Sequence, residues 1–430
     1  MSGEVPPARV GRYRWMICAL LFTATAINYV DRQTIGVLKP TLQAELKWSE
    51  SSYADIVFWF QCAYAIGYLA FGPIIDRIGA RLGYAIAFTV WTVSHIAHGF
   101  VHTITQFALV RFTLGLGESG SFPSSLKAVS EWFPQNERAL AVGVFNAGSN
   151  IGAIVTPLVV PAITLAWGWR AAFVATGVVT FVWLIAWLAM YRSPAFHKRV
   201  TPEELSYIRA GEAPAKAASI SWLKLLRLRE TWAYALGKFL TDPIWWLYLF
   251  WLPDFLSKRY NLDLKSFGPP LVAIYLLSDI GSVVGGWGSS KLMKSGRTAN
   301  ASRKITMLIC AVLVTPIVVA QFVGQLWGAV AIIGLATAAH QAWSANLMTL
   351  PSDMFPRVAV GSVVGIGGMA GAVGGMLMSK YNGYILDVFG SYQPIFALAC
   401  GAYIVGIAVI HILSPRLTRV SEAAVTWEPV

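Results

Sequence analysis

The chain has 430 residues, of which 56% are hydrophobic and 13% charged, and its mean hydropathy is +0.58. This composition excludes an ordinary soluble domain and indicates a membrane protein. The formal net charge of +12 could suggest a nucleic-acid partner, but most Lys and Arg residues fall in loops on one side of the predicted spans, which is typical of membrane topology. We therefore predict an all-α protein that sits in the lipid bilayer and binds no nucleic acid.

Twelve stretches of the sequence are apolar and long enough to be transmembrane helices, since about 20 residues cross a hydrocarbon core of about 30 Å. Helices are required because lipid offers the backbone no hydrogen-bond partner. The first stretch follows a short N-terminus, as a secretory signal would, but it is too long and contains Asp31 and Arg32, so we interpret it as a retained helix. The predicted spans are residues 15–38, 51–73, 83–102, 107–127, 140–165, 170–190, 231–256, 269–290, 304–323, 326–349, 359–386 and 394–414.

Loops rich in Lys and Arg lie on the same side of the membrane as both termini. They include Arg9 and Arg12 before the first span and Arg77 and Arg81 after the second. By the positive-inside tendency this side is cytoplasmic, so both termini are expected in the cytoplasm. The four cysteines all fall in apolar spans without His at metal-ligand spacing, so we expect neither disulfides nor a metal site, and we expect no cofactor.

The spans form two groups of six, in residues 1–190 and 231–430, separated by a polar cytoplasmic linker at residues 191–230. A weak internal repeat supports this division, because Phe133 and Phe355 begin Phe-Pro pairs that lie 222 residues apart. Repeated halves are typical of transporters whose substrate site lies near the membrane midplane between them.

Three groups of motifs resemble known transporters. The turn after the second span, GPIIDRIGARLG, resembles the loop signature of the major facilitator superfamily. NYVDR in the first span and RFTLGLGESGSFP in the fourth resemble the anion:cation symporter family, and HQAWSANLMTLPSDMFP resembles its bacterial hexuronate branch. The resemblance covers essentially the whole chain and implies the twelve-helix major facilitator fold in a bacterial cytoplasmic (inner) membrane. The loop signature comprises Gly72, Asp76, Arg77, Gly79 and Arg81.

The loop signature also has a physical interpretation. Gly72 and Gly79 allow a tight turn and a close approach of helices, and Asp76 can reach helix N-termini or arginines of a neighbouring helix in one conformation only. We therefore expect a latch that gates the transport cycle, with a merely solvated turn as the alternative.

Charged residues inside the spans are expected to have an ionic partner or a function, because burying each one costs roughly 2.5–3.5 kcal/mol at the bilayer centre. Asp31 and Arg32 face different sides of their helix, since successive residues lie about 100° apart. We expect Asp31 to pair with Arg111, Arg32 to be left for an anionic substrate, and Glu118 to carry a proton. The resemblance likewise implies that Asp31 and Glu118 are proton-coupling acids and that Arg32 binds the substrate carboxylate. A purely structural ion-pair network is the alternative.

Other polar and aromatic side chains in the spans of the first half are candidates for contacts with sugar hydroxyls, and helix packing is the alternative for each of them. They are Tyr29, Gln61, Tyr64, Asn146 and Ser149.

In the second half, Lys238 and Asp242 form an i,i+4 pair whose charges can neutralise each other. Trp245 is either a platform for a sugar ring or lipid-facing bulk. A polar and aromatic stripe in the tenth span suits a substrate that is both a polyol and an acid. This stripe comprises His340, Gln341, Trp343 and Asn346.

His95, His98 and His102 share one face of the third span and could suggest a metal site. They have no acidic or Cys partner in the sequence nearby, so we expect interfacial histidines at the outer end of that span.

These observations predict a proton-coupled secondary symporter, acting as a monomer, that imports a sugar acid by alternating access, with a hexuronate as the expected substrate. A symporter for another organic anion, such as an aldonate or a dicarboxylate, is one alternative, and a membrane sensor that moves no solute is another. An enzyme is not expected, because the sequence has no Walker loop, no HExxH motif and no convincing Ser-His-Asp arrangement.

Overall fold

In a computed structural model of the protein, the structure describes residues 12–134, 137–209 and 221–426, except for the side chains of residues 76, 139 and 357. The regular elements in these ranges are α-helices and short 3-10 turns. The helices of the first half are α1 (Tyr13–Leu46), α2 (Glu50–Ala97), α3 (Ile104–Ser119), α4 (Ser121–Trp132), α5 (Arg138–Trp167) and α6 (Trp169–Met190).

The second predicted span and most of the third lie in α2, which ends at Ala97 and bends at Gly79. There φ is 81° and ψ is 162°, a conformation that a residue with a side chain adopts only with strain. The predicted tight turn is therefore a glycine-dependent bend. The fourth predicted span, by contrast, is split between two helices, because α3 ends just before Gly120 and α4 begins just after it.

The linker contributes two short helices, α7 (Pro202–Arg209) and α8 (Trp222–Leu226). The predicted span 304–323 is an α-helix that continues into a 3-10 turn at Thr315–Phe322. The helices of the second half are α9 (Arg229–Phe250), α10 (Leu252–Tyr260), α11 (Gly268–Lys294), α12 (Ala299–Val314), α13 (Leu326–Leu347), α14 (Leu350–Met354), α15 (Arg357–Phe389) and α16 (Gln393–Leu413).

Eight of the described helical segments are long and apolar enough to cross a membrane. Helices α1, α3 and α9 are not among the eight, and all three carry charged residues within their length, such as Asp31, Glu118 and Lys238. The number of twelve spans therefore stays a prediction.

The two halves are joined at one end of the bundle, which carries residues 46–50 and which we call the outer end, following the predicted topology. Lys39 of α1 is fully buried there, with its Nζ 2.6 Å from Glu50 of its own half and 2.8 Å from Asp254 of the other. Lys258 also pairs with Glu50. Asp387 accepts hydrogen bonds from the backbone N–H of Glu50 at 3.0 Å and thereby caps the start of α2.

Two further contacts between the halves lie near the outer end. Tyr53 donates its hydroxyl to the Phe250 carbonyl at 2.9 Å, and Lys380 pairs with Asp55 in a contact whose side chains are 49% and 44% exposed. At the opposite, inner ends of the helices, no hydrogen bond or ion pair joins the halves between residues that the structure describes. The protein is thus closed at its outer end.

The linker contacts both halves at the inner end. Glu137, before α5, accepts a hydrogen bond from Arg14 at 2.8 Å and another from Tyr207 of α7 at 2.7 Å. These hydrogen bonds, with that of Arg14 the larger cause, lower the pKa of Glu137 below its ordinary value. On the other side of the linker, the backbone N–H of Ser221 donates to the carbonyl of Val425, in the C-terminal segment, at 3.0 Å.

Candidate functional site

Arg32 lies where α1 meets the second half, and the residue is only 5% exposed. Its Nε donates to Glu118 Oε2 at 2.8 Å, and its Nη2 donates to Asn28 Oδ1 at 2.9 Å and to the Tyr64 hydroxyl at 3.0 Å. The expectation that Arg32 is left unpaired is therefore wrong for this conformation. The physical reason is the cost of a lone guanidinium in hydrocarbon, which the carboxylate of Glu118 offsets.

Aromatic rings surround the Arg32 guanidinium on several sides. Its central carbon is 5.1 Å from the centre of the Tyr29 ring, 4.9 Å from that of Tyr64 and 5.3 Å from that of Trp246. Trp246 belongs to α9, so rings from both halves face the same cation. Of the predicted substrate residues, Tyr29 and Tyr64 are thus brought together with Arg32.

Asp31 points to the opposite side of α1, into the interior of the first half. Its Oδ2 accepts hydrogen bonds from Trp91 Nε1 at 2.9 Å and from Thr180 Oγ1 at 2.8 Å, and its Oδ1 is 3.2 Å from His95 Nε2. The carboxylate is fully buried. These contacts confirm that Asp31 and Arg32 face different sides of their helix.

The expected ion pair of Asp31 with Arg111 is not formed. Arg111 donates Nη2 to the backbone carbonyl of Arg32 at 2.7 Å, and its guanidinium lies 4.5 Å from the centre of the Phe60 ring. Asp31 instead faces α6 and the part of α2 beyond the bend, where neutral donors satisfy its Oδ2 while its Oδ1 has no hydrogen-bond partner among the described residues.

The expectation of interfacial histidines is wrong for His95 and His98, which are fully buried. His98 Nδ1 is 2.8 Å from the Ser94 carbonyl, and its ring stacks on Phe173 with centroids 5.0 Å apart. His102 is exposed, beside Arg170. No group of three His, Cys, Asp or Glu side chains among the described residues is arranged to hold a metal ion.

Three other candidates of the first half have different environments. Gln61 is fully buried, and its Oε1 accepts a hydrogen bond from Ser379 of α15 at 3.1 Å, so it joins the two halves. Ser149 donates to the backbone carbonyl of Asn146 in its own helix at 2.7 Å. Asn146 is exposed. Of the two candidates on α5, Asn146 is therefore the more accessible to a solute.

Lys238 and Asp242 form the i,i+4 contact expected on α9, with Nζ 2.6 Å from Oδ2. One helical turn further along, Trp245 stacks on His340 with ring planes only 3° apart. His340 Nδ1 is in turn 2.5 Å from the Tyr403 hydroxyl.

The stripe on α13 does not face a cavity as predicted, because its members pack inside the second half. Trp343 donates Nε1 to Thr241 Oγ1 at 3.1 Å, and Asn346 donates Nδ2 to the Gly285 carbonyl at 3.2 Å. Both side chains are fully buried, so neither is accessible to a solute here. Gln341, on a different side of the helix, is half-buried. Neighbouring helices supply hydrogen-bond partners for the polar atoms that were predicted to contact a substrate.

The loop signature is only partly visible. Gly79 makes the bend, and Arg81 donates Nη2 to the Leu188 carbonyl at 2.7 Å, which ties the bend to α6. Arg77 is exposed. A side chain on Gly72 would meet open space, so the expected close helix approach is absent in this conformation. The predicted latch through Asp76 falls outside the described side chains.

Comparison with known proteins decides the family. Residues 21–379 match the sequence model of the family described as Major Facilitator Superfamily. The protein belongs to the Major Facilitator Superfamily. The hexuronate transporter of Escherichia coli (strain K12) is 34% identical over 406 residues, which cover 92% of this chain and 93% of that protein. A probable L-galactonate transporter of the same organism is 32% identical over 419 residues, covering 95% and 90%.

The fold of this Major Facilitator Superfamily protein also matches a solved structure. A bacterial homologue of the human lysosomal transporter Spinster, in an inward-facing and occupied conformation, superposes with a TM-score of 0.74 over 97% of this chain and 99% of that one, at 16% sequence identity. The similarity confirms the fold. Together with the relatives it shows that the protein is a multi-pass membrane transporter and not an enzyme.

Proposed function

We propose that the protein is a proton-coupled symporter that imports a sugar acid, and that its substrate is a hexuronate such as glucuronate or galacturonate. The observation that carries the proposal is the buried Arg32, held by Glu118 between aromatic rings of both halves. The 34% identity to a hexuronate transporter supports the substrate class.

The Arg32–Glu118 pair suggests how a proton and a substrate are coupled. A guanidinium can bind a carboxylate through two parallel hydrogen bonds. When Glu118 is ionised it occupies Arg32, and when it is protonated it loses its charge and the substrate carboxylate takes its place. The loaded site is then neutral, as the empty site is in its paired form. A site with balanced charges can turn over between outward and inward states at a lower electrostatic cost.

The number of cations available at the site favours a substrate with one carboxylate. Lys238, a buried cation of α9, is already paired with Asp242, so a second substrate carboxylate would have to displace that partner. The aromatic rings of Tyr29, Tyr64 and Trp246 can lie against the apolar face of a sugar ring. An aldonate meets the same charge requirement, and the 32% identity to a probable L-galactonate transporter keeps it as the second candidate.

Proteoliposomes test the proposal. Purified protein with an inwardly directed proton gradient should accumulate labelled glucuronate or galacturonate above the outside concentration, and it should only equilibrate them without the gradient. Competition between excess unlabelled galactonate and the labelled hexuronate tests the aldonate as the second candidate. A sensor would accumulate nothing, and equal uptake with and without the gradient would contradict proton coupling.

A further inference from the structure

The carboxylate of Asp31 differs from those of Glu118 and Asp242 in the kind of basic side chain that lies beside it. Glu118 pairs with Arg32, and Asp242 pairs with Lys238. Among the described side chains, no Lys or Arg nitrogen lies within 4.0 Å of Asp31, and its one basic contact is His95. A fully buried carboxylate without a permanently charged partner is costly in free energy, and binding a proton nearby removes that cost.

The hydrogen bonds of Thr176 indicate how the His95 ring is oriented. The Thr176 hydroxyl donates to the Ala172 carbonyl at 2.9 Å, so its oxygen accepts from His95 Nε2 at 2.7 Å. Asp31 Oδ1 lies 3.2 Å from the same Nε2 and has no hydrogen-bond partner among the described residues, so this buried oxygen can accept a proton. The other ring nitrogen, Nδ1, is buried and has no hydrogen-bond partner. It is free to take a proton without breaking an existing contact.

We propose that Asp31 and His95 together bind a second coupled proton, besides the one on Glu118, as a dyad in the interior of the first half. This inference rests on the proton coupling proposed above. With a proton bound, the dyad is neutral either as a carboxylic acid beside a neutral imidazole or as a carboxylate beside an imidazolium. Release of the proton leaves a carboxylate and a neutral imidazole, with a net charge of −1.

The dyad is enclosed by neutral groups on two helices, and two charged groups of α3, Arg111 and Glu118, act on it from a third. Thr176 and Thr180 face it from α6, and Trp91 and His98 lie beside it on α2. Arg111 of α3 is the charged group that acts on both histidine rings. The dyad is also linked to the substrate site through the chain, because Arg111 hydrogen-bonds the backbone of Arg32, the residue next to Asp31.

The pH dependence of transport tests the dyad, and His95→Gln is the informative variant. Glutamine retains an N–H near the position of Nε2 but cannot take a proton. We expect the pH of half-maximal gradient-driven hexuronate uptake to move about one unit toward acid in this variant, because an imidazolium no longer helps to hold the proton. Substrate counterflow at acid pH should stay within about twofold of wild type.

His98→Gln is the matched control, since it removes a buried histidine one turn away that does not contact Asp31. Its pH profile should coincide with that of the wild-type protein. A His95→Gln profile that also coincides with wild type would overturn the dyad and leave His95 a packing residue.

A measurement on the wild-type chain keeps the test decisive if His95→Gln does not fold. Infrared difference spectra of an acid titration, with 15N-labelled histidine, should show a label-sensitive imidazole band that titrates together with a carboxyl band, and Asp31→Asn should remove both. A carboxyl band alone would overturn the proposal. Wild-type protein that fails to couple uptake to protons would instead refute the proposed function.

Discussion

The two halves of the molecule use their buried polar residues in different ways. In the first half, Arg32 turns toward the other half while Asp31 turns inward to His95. In the second half, Lys238 is neutralised within its own helix and Trp343 is hydrogen-bonded to α9. The difference suggests that side chains of the first half bind the substrate carboxylate and the protons, whereas the second half contributes neutral surfaces of the site. Each prediction below tests this division.

The largest effect is expected at Arg32. Arg32→Ala leaves Glu118 buried without its partner and removes the group that binds a carboxylate, which should weaken hexuronate binding by about 2–5 kcal/mol, or at least about 30-fold. Isothermal titration measures the change. Trp343→Phe, a buried substitution in the second half, is the control and should leave binding nearly unchanged. Wild-type affinity in Arg32→Ala would end the assignment.

Glu118→Gln should separate exchange from accumulation. The variant cannot change its charge, so gradient-driven accumulation of hexuronate should fall at least about tenfold, whereas counterflow should persist. The contrast is the double variant Lys238→Met with Asp242→Asn, which removes both charges of this pair in the second half and leaves neither without its partner. It should accumulate hexuronate within about threefold of wild type. Equal losses in the two proteins would remove the distinction between the halves.

The contact between the halves at the outer end gives a conformational prediction. Asp254→Asn removes the second half's carboxylate from the fully buried Lys39, which keeps Glu50 in its own half. We expect the population that is open at the outer end to rise several-fold, because a buried pair that spans the halves holds that end closed. Spin-label distances across the outer end measure it.

Asp55→Asn is the matched control for this experiment, since Asp55 also pairs across the halves but in an exposed contact. Exposed pairs contribute little, about 0–1 kcal/mol, so the distances should barely change. A larger shift in Asp55→Asn than in Asp254→Asn would contradict the role of the buried pair.

The smallest effect concerns the linker. The folded pKa of Glu137 is lowered by Arg14, so the stabilisation it gives is complete above the ordinary glutamate pKa of about 4.3 and is lost as pH falls through the lowered value. The protection of residues 202–209 against hydrogen exchange, relative to the intrinsic exchange rate at each pH, should therefore fall only in that acidic range. Glu137→Gln should show the lower protection already at pH 7 and remove its pH dependence, at a cost of about 1 kcal/mol or less. An unchanged exchange rate in Glu137→Gln would show that α7 is held by other contacts.

Much of the fold could be predicted from the sequence, because the length of apolar stretches, the basic loops and the signature GPIIDRIGARLG are local features. The opposed directions of Asp31 and Arg32 also followed from helix geometry. Their partners did not, since the choice between Arg111, Glu118 and His95 depends on how each helix is rotated about its own axis, which one sequence does not specify.

The stripe containing His340, Trp343 and Asn346 illustrates the same limit. A spacing of three residues marks one face of a helix equally well whether that face lines a cavity or packs on neighbouring helices. His95 could have been found by asking what a buried Asp31 would need, but the three histidines lie near the outer end of their span without an acidic or Cys partner nearby in the sequence, which favoured an interfacial position instead.

The linker described above is attached to a different body at each of its ends: Tyr207 to the first half, and Ser221 to the C-terminal segment. Between α7 and α8, the twelve peptide units from Arg209 to Ser221 reach at most about 40 Å when fully extended. The end of α7 and the start of α8 therefore cannot separate by more than this length in any conformation, and deleting residues between them should lower the largest possible separation.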